Sequence, residues 1–214
     1  LIVKTDSIGT EIWRKEYGVA SDNMEQGFSI EQTSDGEYFV GYYHYVAGHD
    51  DTGDPIVMKV DSLGNFLWEV NLGGPYRDFY TQVCMGNDGS YIAGTSISDS
   101  TSGDNRYSRI KIYKISPEGE VLWNKYYCQT ELYNSLYAIY PDHDSGYIAT
   151  GMRYNLTHPG NWNRTFGWLL KVDENGDSVW YREYEYFTNS TFNYNDLYDL
   201  CLSPDKGYVL AGQA

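Results

Sequence analysis

One string, Lys-x-(Asp/Ser)-x-x-Gly-x-x-x-Trp, occurs four times along the chain and constrains its folding more than any other feature. Its tryptophans, Trp13, Trp68, Trp123 and Trp180, are 55, 55 and 57 residues apart, and Gly9, Gly64, Gly119 and Gly176 keep the same intervals. A period of that length marks a repeat architecture, in which each unit buries its apolar face on its neighbour.

The unit can be read physically. Asp6-Ser-Ile-Gly9, Asp61-Ser-Leu-Gly64, Ser116-Pro-Glu-Gly119 and Asp173-Glu-Asn-Gly176 each put a side-chain acceptor first and glycine fourth. This is a type I turn closing a hairpin, with glycine free to take positive φ and Pro117 suited to the second position. An apolar strand with one lysine (Lys4, Lys59, Lys114, Lys171) precedes each turn, and a strand carrying the tryptophan follows it. A second hairpin is marked by Asp35-Gly36-Glu-Tyr38, Asp88-Gly89-Ser-Tyr91, Ser145-Gly146-Tyr147 and Lys206-Gly207-Tyr208.

Four strands per unit result. The fold expected is all-β: a β-propeller of four repeats of four antiparallel strands, either a closed four-bladed ring or a segment of a larger propeller. The units run over about 1–55, 56–109, 110–167 and 168–214 of a single domain, 1–214. The chain opens on the third and fourth strands of a unit and closes on the first and second. Segments 1–17 and 198–214 could therefore pair into one blade, or each could belong to a blade of a larger ring; the chain reads as part of something longer. The repeated tryptophans are expected to be inter-blade plugs rather than ligand contacts.

The Asp-x-x-Gly-x-x-x-Trp run resembles the tryptophan-docking motif of pyrroloquinoline-quinone-type propellers. The fuller unit, in strings such as LIVKTDSIGTEIW, IVMKVDSLGNFLW and TSDGEYFVG, is similar to propeller repeats common in secreted proteins of Bacteroidota. The resemblance covers the whole chain. It implies a large extracellular or cell-surface protein, often cargo of a type IX secretion route. Quinoprotein cofactor binding does not carry over, because the adjacent cysteine pair of those enzymes is missing.

Composition removes several function classes. The net charge of −15 repels nucleic-acid phosphates, so nucleic acid is not expected as a partner. No apolar run approaches the roughly 20 residues that span a bilayer, so direct membrane insertion is not expected either. Cys84, Cys128 and Cys201 are too few and too scattered for a disulfide framework or a CxxC metal site, and are read as buried free thiols. The four histidines are scattered, and no nucleophile with its base is recognisable.

Function is expected on the face that carries the long, variable B–C and D–A loops, taking the strands of a blade as A to D from the axis outward. These loops span 46–55, 97–109 and 154–167 within blades, and 73–80 and 185–196 between them. Glu25, Asp78, Asn134 and Asn195 occupy one repeat position, six residues before Glu31, Cys84, Tyr140 and Cys201. The first set forms either a polar ring at the mouth of the axial channel, able to bind a cation or a sugar hydroxyl, or a set of turn caps.

Asp50, Asp51 and Asp54 are of the ligand type that calcium takes, although their spacing is not that of an EF-hand and an acidic solvated loop would look the same. No other cofactor is implied. Trp162 with Tyr154, Arg164, Tyr76 and Tyr107 could build an aromatic platform for carbohydrate, or could pack the loops onto their blades. The sequons at Asn155, Asn163 and Asn189 and the Asp-Ser-aliphatic turns, which resemble a Bacteroidota O-glycosylation motif, suit an exterior surface.

The leading expectation is a noncatalytic extracellular binding or adhesion module that recognises a glycan or a surface partner through these loops. The alternatives are a structural or assembly subunit of a cell-surface complex, and a propeller hydrolase or lyase acting on polysaccharide.

Overall fold

The computed structural model describes residues 1–18, 24–45, 53–74, 78–98, 107–128, 132–155, 164–186 and 194–213. All sixteen elements among them are β-strands. The first two are β1 (Ile2–Thr5) and β2 (Glu11–Lys15). Three four-stranded antiparallel sheets follow. The first is β3 (Met24–Gln32), β4 (Tyr38–Tyr45), β5 (Gly53–Val60) and β6 (Phe66–Asn71). The second is β7 (Asp78–Met85), β8 (Tyr91–Ser98), β9 (Ser108–Ile115) and β10 (Val121–Tyr127). The third is β11 (Leu132–Pro141), β12 (Tyr147–Asn155), β13 (Phe166–Val172) and β14 (Ser178–Tyr184). The chain ends on β15 (Asp196–Leu202) and β16 (Tyr208–Gln213).

In every full sheet the strands pair in sequence order, and consecutive sheets meet through their first strands, β3 on β7, β7 on β11 and β11 on β15. This is the blade arrangement of a propeller, with the first strand of each blade lining the axis. The two end hairpins, which the phase of the repeat allows to share a blade, form separate two-stranded sheets. No helix among the described residues is long and apolar enough to cross a membrane.

The repeated turns form as their chemistry requires. Asp6 Oδ1 accepts from the N–H groups of Ile8 and Thr10, at 3.0 and 2.8 Å, and Asp61 Oδ1 accepts from those of Leu63 and Asn65. Ser116 and Asp173 do the same in their turns. The four turn glycines have φ between +76° and +93°.

The turns at Gly64, Gly119 and Gly176 then receive the tryptophan of the preceding unit. Trp13 Nε1 donates to Ser62 O at 3.1 Å and Trp68 Nε1 to Pro117 O at 3.0 Å, while the rings of Trp13, Trp68 and Trp123 lie against Gly64, Gly119 and Gly176. A Cβ at these glycines would meet the indoles at about 3 Å, so glycine serves both the turn and the docking. The hydroxyls of Tyr17 and Tyr127, each four residues after its tryptophan, donate to Gly64 O and Gly176 O.

The lysine of each third strand ties back to the A–B turn of its own blade. Lys59 pairs with Glu37, Lys114 with Asp88, and Lys171 with Asp142 and Asp144. Between the blades lies a core that includes Phe39, Tyr91, Ile92, Ile110, Ile112, Leu136, Ile148, Leu170 and the fully buried Trp168. The thiols are free, but only Cys84 is buried, Cys128 is half-buried and Cys201 is exposed. The expectation of three buried thiols is corrected at Cys201, which lies on the two-stranded β15–β16 sheet with no further blade against it among the described residues.

The A–B turns hold a second difference. In the first two blades positive φ falls on Gly36 and Gly89, whereas in the next two it falls on Ser145 and Lys206, one residue before the glycine that marks the hairpin. Lys206, at φ 67°, takes a left-handed conformation that costs a non-glycine residue about 1 kcal/mol. Lys206→Gly is therefore expected to raise stability by about 0.5–1 kcal/mol in a denaturant titration, and an unchanged midpoint would count against the strain.

Candidate functional site

Each first strand enters the sheet from the loop face and breaks register once. The ladder of β3 passes from Gly27 to Ser29, that of β7 from Phe79 to Thr81, that of β11 from Leu136 to Ala138, and that of β15 from Leu197 to Asp199. The residues left out are all aromatic: Phe28, Tyr80, Tyr137 and Tyr198. A β-bulge turns its unpaired residue away from the regular alternation of the strand. Four such bulges on neighbouring inner strands gather their rings near the axis. Phe28 meets Tyr80 edge-on at 4.7 Å and Tyr137 meets Tyr198 at 5.2 Å. Tyr80 and Tyr198 remain 41% and 47% exposed, so ring surface is open to solvent.

Beside this collar the four inner strands enclose a cavity of about 250 Å³. Ser29 and Glu31 come from β3, Gln82 and Val83 from β7, Tyr137 to Tyr140 from β11, and Tyr198 and Asp199 from β15. Tyr140 donates from its hydroxyl to Asp199 Oδ1 at 2.8 Å. Burial, then this carboxylate, push the Tyr140 phenol up to about 12, so it remains a donor at neutral pH. Burial also raises the Glu31 carboxyl above its ordinary value.

Of the four residues read as either a polar ring or turn caps, Asp78, Asn134 and Asn195 bond to backbone as caps do. Asp78, Asn134 and Asn195 are buried, and each is bonded to backbone beside its loops. Asp78 Oδ2 accepts from Gly74 N–H at 2.7 Å and Oδ1 from Ser98 N–H at 3.0 Å. Asn134 Nδ2 donates to Ser108 O and Leu132 O, and Asn195 Nδ2 to Thr165 O, while Asn195 Oδ1 accepts from Tyr186 N–H. Glu25 is partly exposed and lies 3.2 Å from His44 Nδ1. None of these four lines the axial cavity. Two of the residues six positions later, Glu31 and Tyr140, do.

Of the expected aromatic platform, Trp162 and Tyr76 lie outside the described residues. Tyr154 stacks on Tyr133 at 4.8 Å, and Tyr133 in turn meets Phe79 at 5.7 Å. Arg164 pairs with Glu185 and lies over the ring of Phe166, and Tyr107 is half-buried just before β9. Of the calcium candidates, Asp50 and Asp51 lie outside the described residues, and Asp54 Oδ2 accepts from Asn71 Nδ2 at 2.6 Å. Among the described residues no three His, Cys, Asp or Glu side chains form a metal-binding group. The sequons at Asn163 and Asn189 also fall outside, and Asn155 ends β12.

A second crevice, of about 350 Å³, separates the second and third blades and is lined in part by Tyr126, Cys128, Leu132, Arg153, Tyr181 and Glu183. Its charges are matched internally, because both Glu183 oxygens accept from the Arg153 guanidinium. The axial cavity differs in presenting carboxylates and ring surface with no lysine or arginine among its lining residues. The collar was not visible in the repeat alignment, because the bulge falls one residue earlier in β7 than in the other blades and puts Tyr80 out of phase with Phe28. An aromatic within two or three residues of each Glu25-type position was the available signal.

Fold and cavity together define a β-propeller with an open axial cavity. No protein-family model matches the sequence, and no curated protein is significantly similar to it. Among solved structures the chain is similar to the GH43_1 enzyme from Xanthomonas citri, in its complexes with xylotriose and with xylose, at 13% identity and a TM-score of 0.49 in both. The match covers 78% and 73% of this chain but 57% and 54% of that one, so this chain spans little more than half of the enzyme's length. No residue role passes across a likeness of that size.

Proposed function

We propose that the chain is a binding module that holds a saccharide in its axial cavity and works outside the cell. The observation that supports this reading is the aromatic collar beside hydrogen-bonding groups. Ring faces stack on the C–H faces of a sugar, while Ser29, Gln82, Tyr140 and Asp199 supply donors and acceptors for its hydroxyls. Tyr154, on the second strand of its blade, reaches the collar through Tyr133 and Phe79, which in turn meets Tyr80 at 6.4 Å.

Tyr198→Ala removes an exposed ring without opening the core. It should weaken binding of any glycan-array ligand roughly three- to tenfold, as the loss of one aromatic contact predicts. Unchanged affinity in both Tyr198→Ala and Tyr137→Ala would sink the reading. A hydrolase reading has one point in its favour, the presence of Glu31 and Asp199 in the same cavity, with Glu31 shifted toward the proton-donating form. Release of reducing sugar from a polysaccharide, lost in Glu31→Gln, would establish it over simple binding.

A further inference from the structure

The charge of the cavity narrows the ligand further, on the basis of the saccharide reading above. Glu31 and Asp199 both line it, and no lysine or arginine does. The lysines of the blades are engaged elsewhere: Lys59, Lys114 and Lys171 are all held at the A–B turns. The Glu31 carboxylate makes no hydrogen bond or ion pair among the described residues. Asp199 Oδ1 is taken by Tyr140 O–H and Leu200 N–H, which leaves Oδ2 without a partner among them.

A partly buried carboxylate without a counter-charge, which is the state of Glu31, costs free energy unless a ligand supplies that charge, and the more exposed Asp199 adds a second negative charge to the same wall. A sugar hydroxyl supplies one donor and no charge. A uronate would bring a third carboxylate and repel both. A divalent metal would need more ligating side chains than the described residues bring together. An ammonium group brings a full positive charge and three donors, and the rings of Tyr137 and Tyr198 offer it the negative faces that attract cations. The chain's net charge of −15 draws such a ligand in from a distance. At about 250 Å³ the cavity lies below the roughly 300–1,000 Å³ of sites that enclose drug-sized molecules, so it fits one sugar unit and not a chain.

We propose that the axial cavity selects a saccharide unit with a free amino group, the ammonium placed between Glu31 and Asp199 and the ring against Tyr137 and Tyr198. The rest of a longer glycan would then lie across the collar. The amine sets the specificity and the rings contribute the sequence-independent part of the affinity.

Titration calorimetry at pH 6 with three tetrasaccharides tests this: a glucosamine tetramer, its fully N-acetylated counterpart and the neutral cellotetraose. The expected result is at least tenfold tighter binding of the glucosamine tetramer. Glu31→Gln should abolish that preference while leaving the weaker binding of cellotetraose unchanged. The exposed Glu118→Gln, in the β9–β10 turn and outside the cavity lining, should leave both unchanged. Equal binding of all three sugars would overturn the amine assignment and leave the saccharide reading standing, and an equal loss in Glu118→Gln would overturn it as unspecific charge attraction. No binding of any saccharide by the wild-type chain would overturn the saccharide reading itself.

Discussion

The unfolding free energy of this chain should fall as pH rises from about 4 to 7, and Asp78→Asn should remove most of that fall. Asp78 is fully buried, and burial pushes its carboxyl from 3.8 up to about 7 even though the N–H groups of Gly74 and Ser98 act in the opposite direction. The folded chain therefore keeps a proton through a range in which the unfolded chain has lost it. Stability that depends on this proton is complete below about 4, declines through the interval and is gone above about 7. A difference of about 3 between the two states corresponds to on the order of 4 kcal/mol.

Other turn carboxylates act in the opposite sense. Asp6 is held low first by the Thr10 N–H and then by that of Ile8, and Asp61 first by the Asn65 N–H. Their contribution is present above about 4 and is lost as the solution becomes more acid, so the stability maximum should lie near pH 4–5. Asn134 and Asn195 donate from Nδ2 to carbonyls at this repeat position, whereas both Asp78 oxygens accept from N–H groups, so Asp78→Asn loses one of those bonds at every pH while it removes the titration. The check is urea unfolding of wild type and Asp78→Asn from pH 4 to 8. If the variant follows the wild-type pH profile, Asp78 is not the group responsible.

Trp68→Ala should destabilise the chain by about 3 kcal/mol, and Trp180→Ala by less than half as much. Trp68 lies over Gly119, donates to Pro117 O and meets Phe39 and Tyr91 at 6.1 and 5.9 Å. Its loss opens a gap between the first and second blades, and Trp-to-Ala changes in packed sites cost about 3–5 kcal/mol. In a chain of this length that lowers the melting temperature by roughly 6–12 °C.

Trp180 meets Tyr208 at 6.0 Å, but among the described residues no turn glycine lies against it. In a ring closed by the two end hairpins the matching turn glycine would be Gly9, where a Cβ would meet nothing within 4 Å. The same residue type at the same repeat position thus has a different packing environment. Equal losses in the two variants would show that Trp180 finds a docking turn in solution.

Much of the fold was legible in the sequence. The acceptor at the first position and glycine at the fourth of each turn name a hairpin, because only glycine enters that φ region cheaply and the acceptor has two N–H groups within its reach. The interval between tryptophans named a repeat, and the structure places Trp13, Trp68 and Trp123 on the next unit's turn. The A–B turns were legible only in part. Nothing local says that Lys206 rather than Gly207 must take positive φ; that follows from the length of the loop the two strands impose.

The site was legible least. Glu25, Asp78, Asn134 and Asn195 stood out because polar side chains recur there; Asp78, Asn134 and Asn195 bond backbone groups near the loops, whereas Glu25 lies against His44. The sequence by itself determined the strands, the turns, the blade unit and the acidity, since each follows from contacts within about ten residues or from composition. Only the tertiary structure decided that Glu31, Tyr140 and Asp199 share one cavity and that four bulges bring aromatic rings beside it. Those residues belong to different blades, and bulge position depends on how paired strands share their hydrogen bonds, which no single strand's sequence records.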